Sequence, residues 1–543
     1  MDAMAPGSAT WEAPMPGFVL VPLIVVGLVV AVLTAVAIYD VTQRRHAILR
    51  NFPIIGHFRF WLESIGPELR QYIVTSNTEE LPFNRDQRTW IYASAKEQNN
   101  YHGFGTSEDL ERSPNFIIIK HSAFPLATAE KGAPDFDPDW RIPAAIVLGA
   151  HRKRKHAFRP ESVVNISGMS YGALSPRAIE ALNMGANLAG CLHNTGEGGI
   201  SPYHLNGGEL IWQLGTAYFG ARDDRGRFDM SRFRDSLAGA PVRAIEVKLS
   251  QGAKPGVGGL LPAAKITPEI SEIRGIPLGI DCHSPNSHPE FSNVDTMLDF
   301  VERLADETGL PVGIKAAVGD HSFFGELALQ MSTTGRGVDF ITIDGGEGGT
   351  GAGPLVFTDH VALPFKMAMA RVYREFAEQD MATKVAFIGS GKLGFPESAL
   401  LAFALGCDMV NVGREAMMAV GCIQAQRCHT GHCPTGVATQ SKWLMRGLDP
   451  TLKSVRLANY VVALRKDLLG LSRAIGVPHP SLVSANDIEI LDEHFGGPTA
   501  SEVFNLEPGW GLPSAEDQES IRLIMAGAPD AVKAAGRAES AAG

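Results

Sequence analysis

Short apolar runs alternate with helical stretches along most of the chain after residue 163. Each run ends in a glycine-bearing or polar loop, and a helical stretch follows. Strands that alternate with helices form parallel sheets, and eight such units predict an α/β fold, a closed (β/α)8 TIM barrel. A ninth run, residues 278–281, predicts an extra hairpin or crossover. The eight runs are residues 163–166, 191–194, 210–214, 244–249, 312–316, 340–343, 385–388 and 409–412.

An uncharged apolar run from Phe18 to Tyr39 precedes the barrel. At ~1.5 Å per residue, a helix of this length crosses the roughly 30 Å of hydrocarbon in a bilayer. The pair Ala35 and Ala37 leaves a cleaved signal peptide as the alternative, but no Lys or Arg precedes Arg44 to form its positive n-region. The positive-inside rule then predicts a single-pass protein of the cell (inner) membrane with its main body in the cytoplasm.

These patterns divide the chain into segments. The region before the barrel has mixed aromatic and polar composition with no clean period, so we expect an accessory subdomain that packs on the barrel. The predicted segments are a tail (1–17), a transmembrane helix (18–39), an accessory region (40–150), the barrel (151–490) and a C-terminal tail (491–543).

The composition favours small-molecule chemistry. The 543 residues are 45% hydrophobic and carry a formal net charge of -11. Nucleic-acid binding normally needs a basic surface, so the acidic balance argues against nucleic acid as a partner. Six cysteines are too few for a disulfide scaffold in a chain this long, and three of them lie between positions 422 and 433. Clustered thiols indicate a metal site in a reducing compartment.

Glycine-rich loops follow four of the predicted strands. In TIM barrels the binding and catalytic groups lie on the loops at the carboxyl ends of the strands. Glycine lets backbone amides approach a planar ring or a phosphate closely. One such loop is only a tight turn, whereas four at strand ends predict a cofactor cradle. The loops are SGMSYG (with Ser167, Gly168, Met169 and Ser170), NTGEGG (with Glu197), SQGAKPG (with Ser250 and Gln251) and DGGEGGTG (with Gly348 and Gly349).

A G-x-G-x-x-G segment begins at Gly389, after the seventh strand. Alone it would suggest a Rossmann dinucleotide site, but a Rossmann unit opens its domain and has an acid at the end of its next strand. Here the strand and its loop are the seventh of the eight predicted units, and Asp408 stands before the next strand instead of at its end. Phosphate sites of TIM barrels are usually built from the loops after strands 7 and 8. The predicted phosphate site comprises Gly389, Ser390, Gly391, Gly413 and Arg414.

Cys422, Cys428 and Cys433 have the spacing C-x5-C-x4-C. A zinc site that also uses an intervening histidine is one alternative, although zinc spacings usually come as C-x2-C pairs. A cysteine trio that ends in Cys-Pro is more typical of iron–sulfur ligation. Cys407 could be a fourth ligand, but it precedes the last predicted strand, whereas the three cysteines follow that strand. A five-residue strand at ~3.3 Å per residue places Cys407 roughly 17 Å from the loop of the three cysteines. A three-iron cluster is therefore favoured over a cluster with four cysteine ligands.

Together these residues resemble the FMN-binding synthase domain of glutamate synthases. The resemblance runs from about residue 160 to 490 and rests on SGMSYGALS, NTGEGG, QGAKPG, GGTGAGP and CHTGHCPTGVATQ. It implies FMN over the strand ends, contacted by residues 167–170 and Lys315, and a 3Fe-4S cluster on the three cysteines. It also implies that 2-oxoglutarate is converted through 2-iminoglutarate to L-glutamate, with a related 2-oxo acid as the other candidate substrate. The implied substrate residues are Glu197, Lys248, Ser250 and Gln251.

Several features depart from a complete glutamate synthase. The glutaminase domain of that family begins with a cysteine nucleophile, whereas the first cysteine here is Cys191, so we expect no glutamine hydrolysis and an external amine donor. We also expect no C-terminal β-helix domain. With no second nucleotide-binding unit visible, the expected electron donor is a ferredoxin or a reductase subunit. The alternatives are an N-methylglutamate synthase, which uses glutamate and methylamine, and a non-catalytic membrane-bound carrier with flavin and cluster.

Overall fold

The computed structural model describes residues 17–111, 113–128, 131, 136–494 and 496–527. The chain divides into two compact units between Glu80 and Leu81. The described part of the first unit is helical. It consists of α1 (Gly17–Thr42), α2 (Ala47–Asn51), α3 (Gly56–Leu69) and a π-helical turn (Arg70–Val74).

Helix α1 is long and apolar enough to cross a membrane. Its segment Val21–Thr42 has a mean hydropathy of 2.9 in its most apolar window, and none of that window is buried. The helix includes the predicted apolar run and continues past Asp40, the first acid after it. Both a membrane span and a signal sequence have these properties.

The second unit is built on a closed barrel of eight parallel strands, which confirms the predicted TIM barrel. Neighbouring strands follow one another in sequence, and the eighth pairs with the first. Their residues are almost all buried, because helices cover the outer face of a parallel barrel while its interior is packed with side chains. The strands are β1 (Val164–Ile166), β2 (His193–Asn194), β3 (Leu210–Leu214), β4 (Val242–Lys248), β5 (Val312–Ala316), β6 (Phe340–Asp344), β7 (Ala386–Ser390) and β8 (Met409–Val412).

Fourteen further α-helices are described in the second unit. Capping residues fix where several of them begin. Ser175, for example, accepts a hydrogen bond from the amide of Ala178 and so ends the glycine loop after β1 where α5 starts. The helices are α4 (Arg85–Ala95), α5 (Pro176–Ala189), α6 (Met230–Leu237), α7 (Pro268–Arg274), α8 (Val294–Thr308), α9 (Ser322–Thr334), α10 (Leu355–His360), α11 (Phe365–Ala377), α12 (Pro396–Ala404), α13 (Arg414–Ala419), α14 (Lys442–Met445), α15 (Pro450–Ile475), α16 (Ala500–Phe504) and α17 (Ala515–Met525).

Two small antiparallel pairs lie outside the barrel. Leu260–Leu261 pairs with Cys282–His283 in the long connection between β4 and β5, and the predicted ninth run forms the turn just before the second of these strands. Ile117–Ile119 pairs with Ile488–Ile490, so the chain before the barrel is joined to the chain after it.

A buried polar layer lies near the carboxyl ends of four barrel strands. It is centred on Glu246 in β4, which is fully buried. Its carboxylate accepts hydrogen bonds from Asn194 at 2.8 Å, Gln213 at 2.6 Å and Thr342 at 2.6 Å. These donors lie on β2, β3 and β6, so one carboxylate joins four strands. Because an unpaired buried polar group is unfavourable by roughly 1–3 kcal/mol, each member depends on the others.

Replacing Glu246 by alanine is expected to lower the free energy of unfolding by about 3 kcal/mol or more, because three buried donors lose their acceptor. The matched control is Glu326→Ala on α9, where the residue is exposed and the expected change is within ~0.5 kcal/mol. Urea denaturation followed by intrinsic fluorescence measures both. Equal effects of the two substitutions would contradict the structural role of the polar layer.

Candidate functional site

The carboxyl ends of the strands open into a cavity of about 680 Å³, within the usual size range of ligand sites. Loops after several strands contribute to its lining, as do Pro82, Phe83 and residues of the segment 422–433, which we call the cysteine segment. Many of the predicted site residues therefore come together in one place. Those that line the cavity are Gly168, Met169, Ser170, Glu197, Lys248, Gln251, Gly348, Gly349, Arg414, Cys422, Cys428 and Cys433.

The other predicted residues lie near the cavity but do not line it. Ser250 uses its hydroxyl to accept a hydrogen bond from the amide of Ala317 at 2.9 Å, which ties the ends of β4 and β5 together. Lys315 is buried, with its Nζ 3.5 Å from Asp344. A Cβ atom at Gly389 would lie 2.9 Å from the ring of Phe365, so this glycine makes room for α11. The residues outside the lining are Ser167, Ser250, Lys315, Gly389, Ser390, Gly391 and Gly413.

Two glycines bring separate loops into close contact. A Cβ atom at Gly168 would lie 2.7 Å from Oδ1 of Asn194, so the first loop rests directly on the buried polar layer. A Cβ atom at Gly351 would lie 3.0 Å from the backbone of Cys428, so the loop after β6 touches the cysteine segment. Larger residues at either position would force these loops apart.

Three buried cations and one carboxylate form a group at one side of the cavity. Lys248 places its Nζ 2.9 Å from Oε1 of Glu197 and 2.7 Å from Oε1 of Gln251. Lys254 places its Nζ 3.9 Å from the same oxygen of Glu197. Arg274 donates from Nη2 to a backbone carbonyl at 2.7 Å, while its buried Nε has no hydrogen-bond partner. We call these four charged side chains the cationic group.

Burial and charge set the protonation of the cationic group. Burial acts to raise the pKa of Glu197, but the ammonium groups of Lys248 and Lys254 outweigh it and lower that pKa to about 2. Burial lowers the pKa of Lys254 to about 8, although Glu197 opposes the shift. Burial also lowers the pKa of Arg274. At neutral pH the group thus combines three cations with one carboxylate.

His288 holds the end of β4 in place. Its Nε2 lies 2.8 Å from the carbonyl oxygen of Lys248, and its Nδ1 lies 2.9 Å from the hydroxyl of Tyr218. Burial lowers the pKa of this histidine to about 4, so it is neutral at physiological pH. Because a carbonyl only accepts, the proton of the neutral ring is assigned to Nε2, and Tyr218 donates to Nδ1.

The three cysteines follow α13 and line the other part of the cavity. Burial raises the pKa of Cys422 to about 12 and also raises the pKa of Cys428. Burial acts in the same direction at Cys433, but hydrogen bonds from backbone amides of the following turn outweigh it and lower its pKa. Among the described residues, no group of three His, Cys, Asp or Glu side chains is close enough to hold a single metal ion.

The cysteine segment is held from two sides. The side chain of Gln424 accepts from the amide of Phe83 at 3.1 Å and donates to its carbonyl at 2.9 Å. The ring of Phe83 in turn lies 4.9 Å from the guanidinium of Arg414. Lys265 donates to the carbonyl of Cys428 at 2.8 Å. Contacts with distant parts of the second unit therefore fix the position of this segment.

Sequence reasoning missed several residues of the site. Lys254 stands in the QGAKPG loop, and its charge was a signal that could have identified it. Arg274 and His288 lie in the long β4–β5 connection, where no strand or helix period points to the cavity. Phe83 and Gln424 are 341 residues apart, and no local pattern links them.

The chain is similar to glutamate synthases. Residues 139–478 match the family model described as a conserved region in glutamate synthase. The glutamate synthase large subunit-like protein YerD of Bacillus subtilis is 39% identical over 471 residues, which cover 82% of this chain and 89% of that protein. A protein of Methanocaldococcus jannaschii named archaeal glutamate synthase (NADPH) is 35% identical over 323 residues. That match covers 58% of this chain and 59% of the archaeal protein.

Among solved structures, a flavocytochrome b2 variant with bound pyruvate matches with a TM-score of 0.41 and 12% sequence identity. The match covers 82% of this chain and 97% of that one.

Replacing Glu197 by glutamine is expected to destabilise the protein at neutral pH and to do so less as the pH falls. The pKa of this carboxyl is about 2 in the folded protein against an ordinary 4.5, so its contribution is complete above about pH 4.5 and is lost as the pH falls towards 2. Urea denaturation at pH 7, 5 and 3.5 measures the free energy of unfolding of both proteins. The difference between the original protein and the variant should shrink by on the order of 1 kcal/mol between pH 7 and pH 3.5. A constant difference would contradict the low pKa.

Proposed function

Because the chain belongs to the glutamate synthase family, we propose that it reductively aminates 2-oxoglutarate to L-glutamate, or a related 2-oxo acid to the corresponding amino acid. It is a glutamate synthase-like oxidoreductase, and its proposed cofactors are FMN and a 3Fe-4S cluster. The amine donor is supplied from outside the chain. One observation carries the proposal: a single cavity is lined both by the cationic group and by the three cysteines.

The charge of the cationic group suits a dicarboxylate. Lys248, Lys254 and Arg274 together exceed the one carboxylate of Glu197 by two positive charges, and 2-oxoglutarate carries two negative charges. The planar guanidinium of Arg274 suits bidentate binding of one carboxylate, and the two lysines suit the other as point charges. The unpaired Nε of Arg274 supports this assignment, since a buried guanidinium nitrogen needs an acceptor.

Two side chains of the same group are suited to the amination step. Glu197 is ionised, so it accepts a hydrogen bond from the substrate nitrogen and does not donate a proton. Lys254 has a pKa of about 8, near the working pH, which suits transfer of a proton from Nζ to the departing oxygen during imine formation. Ser250 is assigned a positioning role through its bond to Ala317.

The glycine loops and Arg414 fit FMN. When bound, FMN supplies the hydride that reduces the imine. Gly168, Met169 and Ser170 line the cavity as a surface for the ring, with Lys315 buried close beneath the strand ends. Arg414 is mostly buried and lies against Gly349, where a Cβ atom would come within 3.0 Å of it, and this pair is the proposed phosphate site. The remaining predicted residues are proposed to shape the backbone around the FMN site. They are Ser167, Gly348, Gly389, Ser390, Gly391 and Gly413.

The cysteines fit an iron–sulfur cluster better than a zinc ion. Zinc sites usually present their cysteines as C-x2-C pairs, and the C-x5-C-x4-C spacing of this segment contains no such pair. In a 3Fe-4S cluster each cysteine binds a different iron, which permits wider spacing.

When bound, the cluster supplies single electrons. We propose a ferredoxin-type protein or a reductase subunit as the source, with α1 anchoring the protein to the membrane and the catalytic unit in the cytoplasm.

The function is tested with the full chain in detergent. Chemically reduced protein given 2-oxoglutarate and ammonium is expected to form glutamate. Arg274→Met should raise the KM for 2-oxoglutarate by roughly 10- to 100-fold, the loss of a charged hydrogen bond. Arg227→Met removes an exposed arginine as the matched control and should leave the KM unchanged. Product from glutamate and methylamine alone would favour N-methylglutamate synthesis, and reduction without product would favour an electron carrier.

The cluster is tested by substitution of single cysteines. Cys428→Ser is expected to abolish the paramagnetic resonance signal of an oxidised 3Fe-4S cluster and to block flavin reduction by a ferredoxin-type donor, while FMN stays bound. Cys282→Ser is the matched control, because Cys282 lines the same cavity outside the trio and its loss should leave the signal intact. Iron and sulfide analysis accompanies both. Stoichiometric zinc in place of iron would refute the cluster.

A further inference from the structure

The first unit carries an exposed apolar face that no part of the catalytic proposal uses. It runs along α3 and the π-helical turn, where large apolar side chains recur every three or four residues. Such spacing places them on one side of a helix. They are between 38% and 76% exposed, and a contiguous exposed apolar surface marks an interaction site. The residues are Ile55, Phe58, Trp61, Leu62, Leu69, Tyr72 and Ile73.

The opposite side of this helix is mainly polar. Arg59 and Glu63 form an ion pair at 2.9 Å one turn apart, and both are more than half exposed. Ser64 lies on the same side and is exposed. Phe60 is the apolar residue of this side, and it is half-buried, with its ring centroid 5.5 Å from that of His46. The helix is therefore amphipathic, with its large exposed apolar side chains on one side.

A tie to α1 fixes the start of this helix. Asp40 is buried and directly follows the uncharged run of α1. Its carboxylate accepts from the amide of Ile54 at 2.9 Å and contacts Nε2 of His57 at 2.9 Å. The first turn of α3 is thus held beside the residue at which the apolar run ends. If α1 crosses a bilayer, α3 begins at the level of the lipid headgroups.

The charge around this face suits a lipid surface. Residues 43–74 contain five arginines and two glutamates, with no lysine or aspartate. This local positive charge contrasts with the net charge of -11 of the whole chain. Juxtamembrane cations attract the anionic lipids of the cytoplasmic leaflet.

We propose that α3 and the π-helical turn lie in the boundary between the headgroups and the acyl chains of the membrane, as a second contact beside α1. The apolar side of the helix enters the acyl layer, as in other amphipathic surface helices. Trp61 and Tyr72 have the amphipathic rings that favour this boundary. The inference rests on the proposed anchoring by α1 and on no part of the proposed chemistry.

The test uses the full chain in nanodiscs that contain anionic lipid and a lipid with a photoactivatable acyl chain. After illumination, mass spectrometry maps the labelled peptides. We expect label within 21–42, from α1, and a second set at Phe58, Trp61 and Leu69, with none at Ser64. Label in α1 alone would overturn the surface contact, whereas absence of label from both helices would overturn the anchor as well.

A matched pair of variants separates the lipid from other occupants. Trp61→Glu puts a charge on the apolar side and should reduce the label in α3 at least several-fold, while Ser64→Glu puts the same charge on the polar side and should not. Label in α1 serves as the internal standard for both. If the face instead binds a second copy of the chain, Trp61→Glu would lower the oligomer mass in native mass spectrometry without changing the label, and the proposal would be wrong.

Discussion

The buried carboxylate of Glu246 is the constraint on which the site depends. A fully buried acid at the end of β4 requires donors from neighbouring strands, and Asn194, Gln213 and Thr342 supply them. Asn194 also accepts from the amide of Gly196 at 3.0 Å, so the loop that carries the acid of the cationic group starts from the same network. Gln213 reaches the cavity lining itself. The network thus holds the strand ends and sets where the loops above them begin.

The cavity separates two kinds of chemistry by charge and burial. At one side, Glu197 lies between two lysines and reduces the repulsion between their charges. The positive charge of these lysines in turn keeps Glu197 ionised. At the other side, burial and backbone amides act on the cysteine thiols in opposite directions, so that the pKa of Cys433 falls while that of Cys422 rises. The same cavity is lined by the glycine-bearing loops with Gly168, Gly348 and Gly349.

The fold was predictable because its signals are local. Each barrel strand is a short apolar run, and each is followed by a polar loop, so strand order and the face that carries the site follow from the sequence. The cavity residues that the sequence predicted stand at or after the end of a strand, as Lys248 and Gln251 do, or in the closely spaced group of cysteines. Arg274 reaches the cavity from inside a long connection. Gly389 stays a predicted phosphate residue, and the structure adds that its missing side chain leaves room for the ring of Phe365. Such contacts depend on packing between elements distant in sequence.

The region before the barrel, which has no clean period, also takes part in the site. Its strand Ile117–Ile119 pairs with Ile488–Ile490, and Tyr92 of α4 donates to the carbonyl of Cys422 at 2.8 Å. Phe83 joins the cysteine segment to Arg414 through its backbone and its ring. A segment that packed only on the outside of the barrel would not make these contacts at the cavity. Pro82 and Phe83 therefore form part of the wall of the site, and contacts from Phe83 and Tyr92 help to hold the cysteine segment in position.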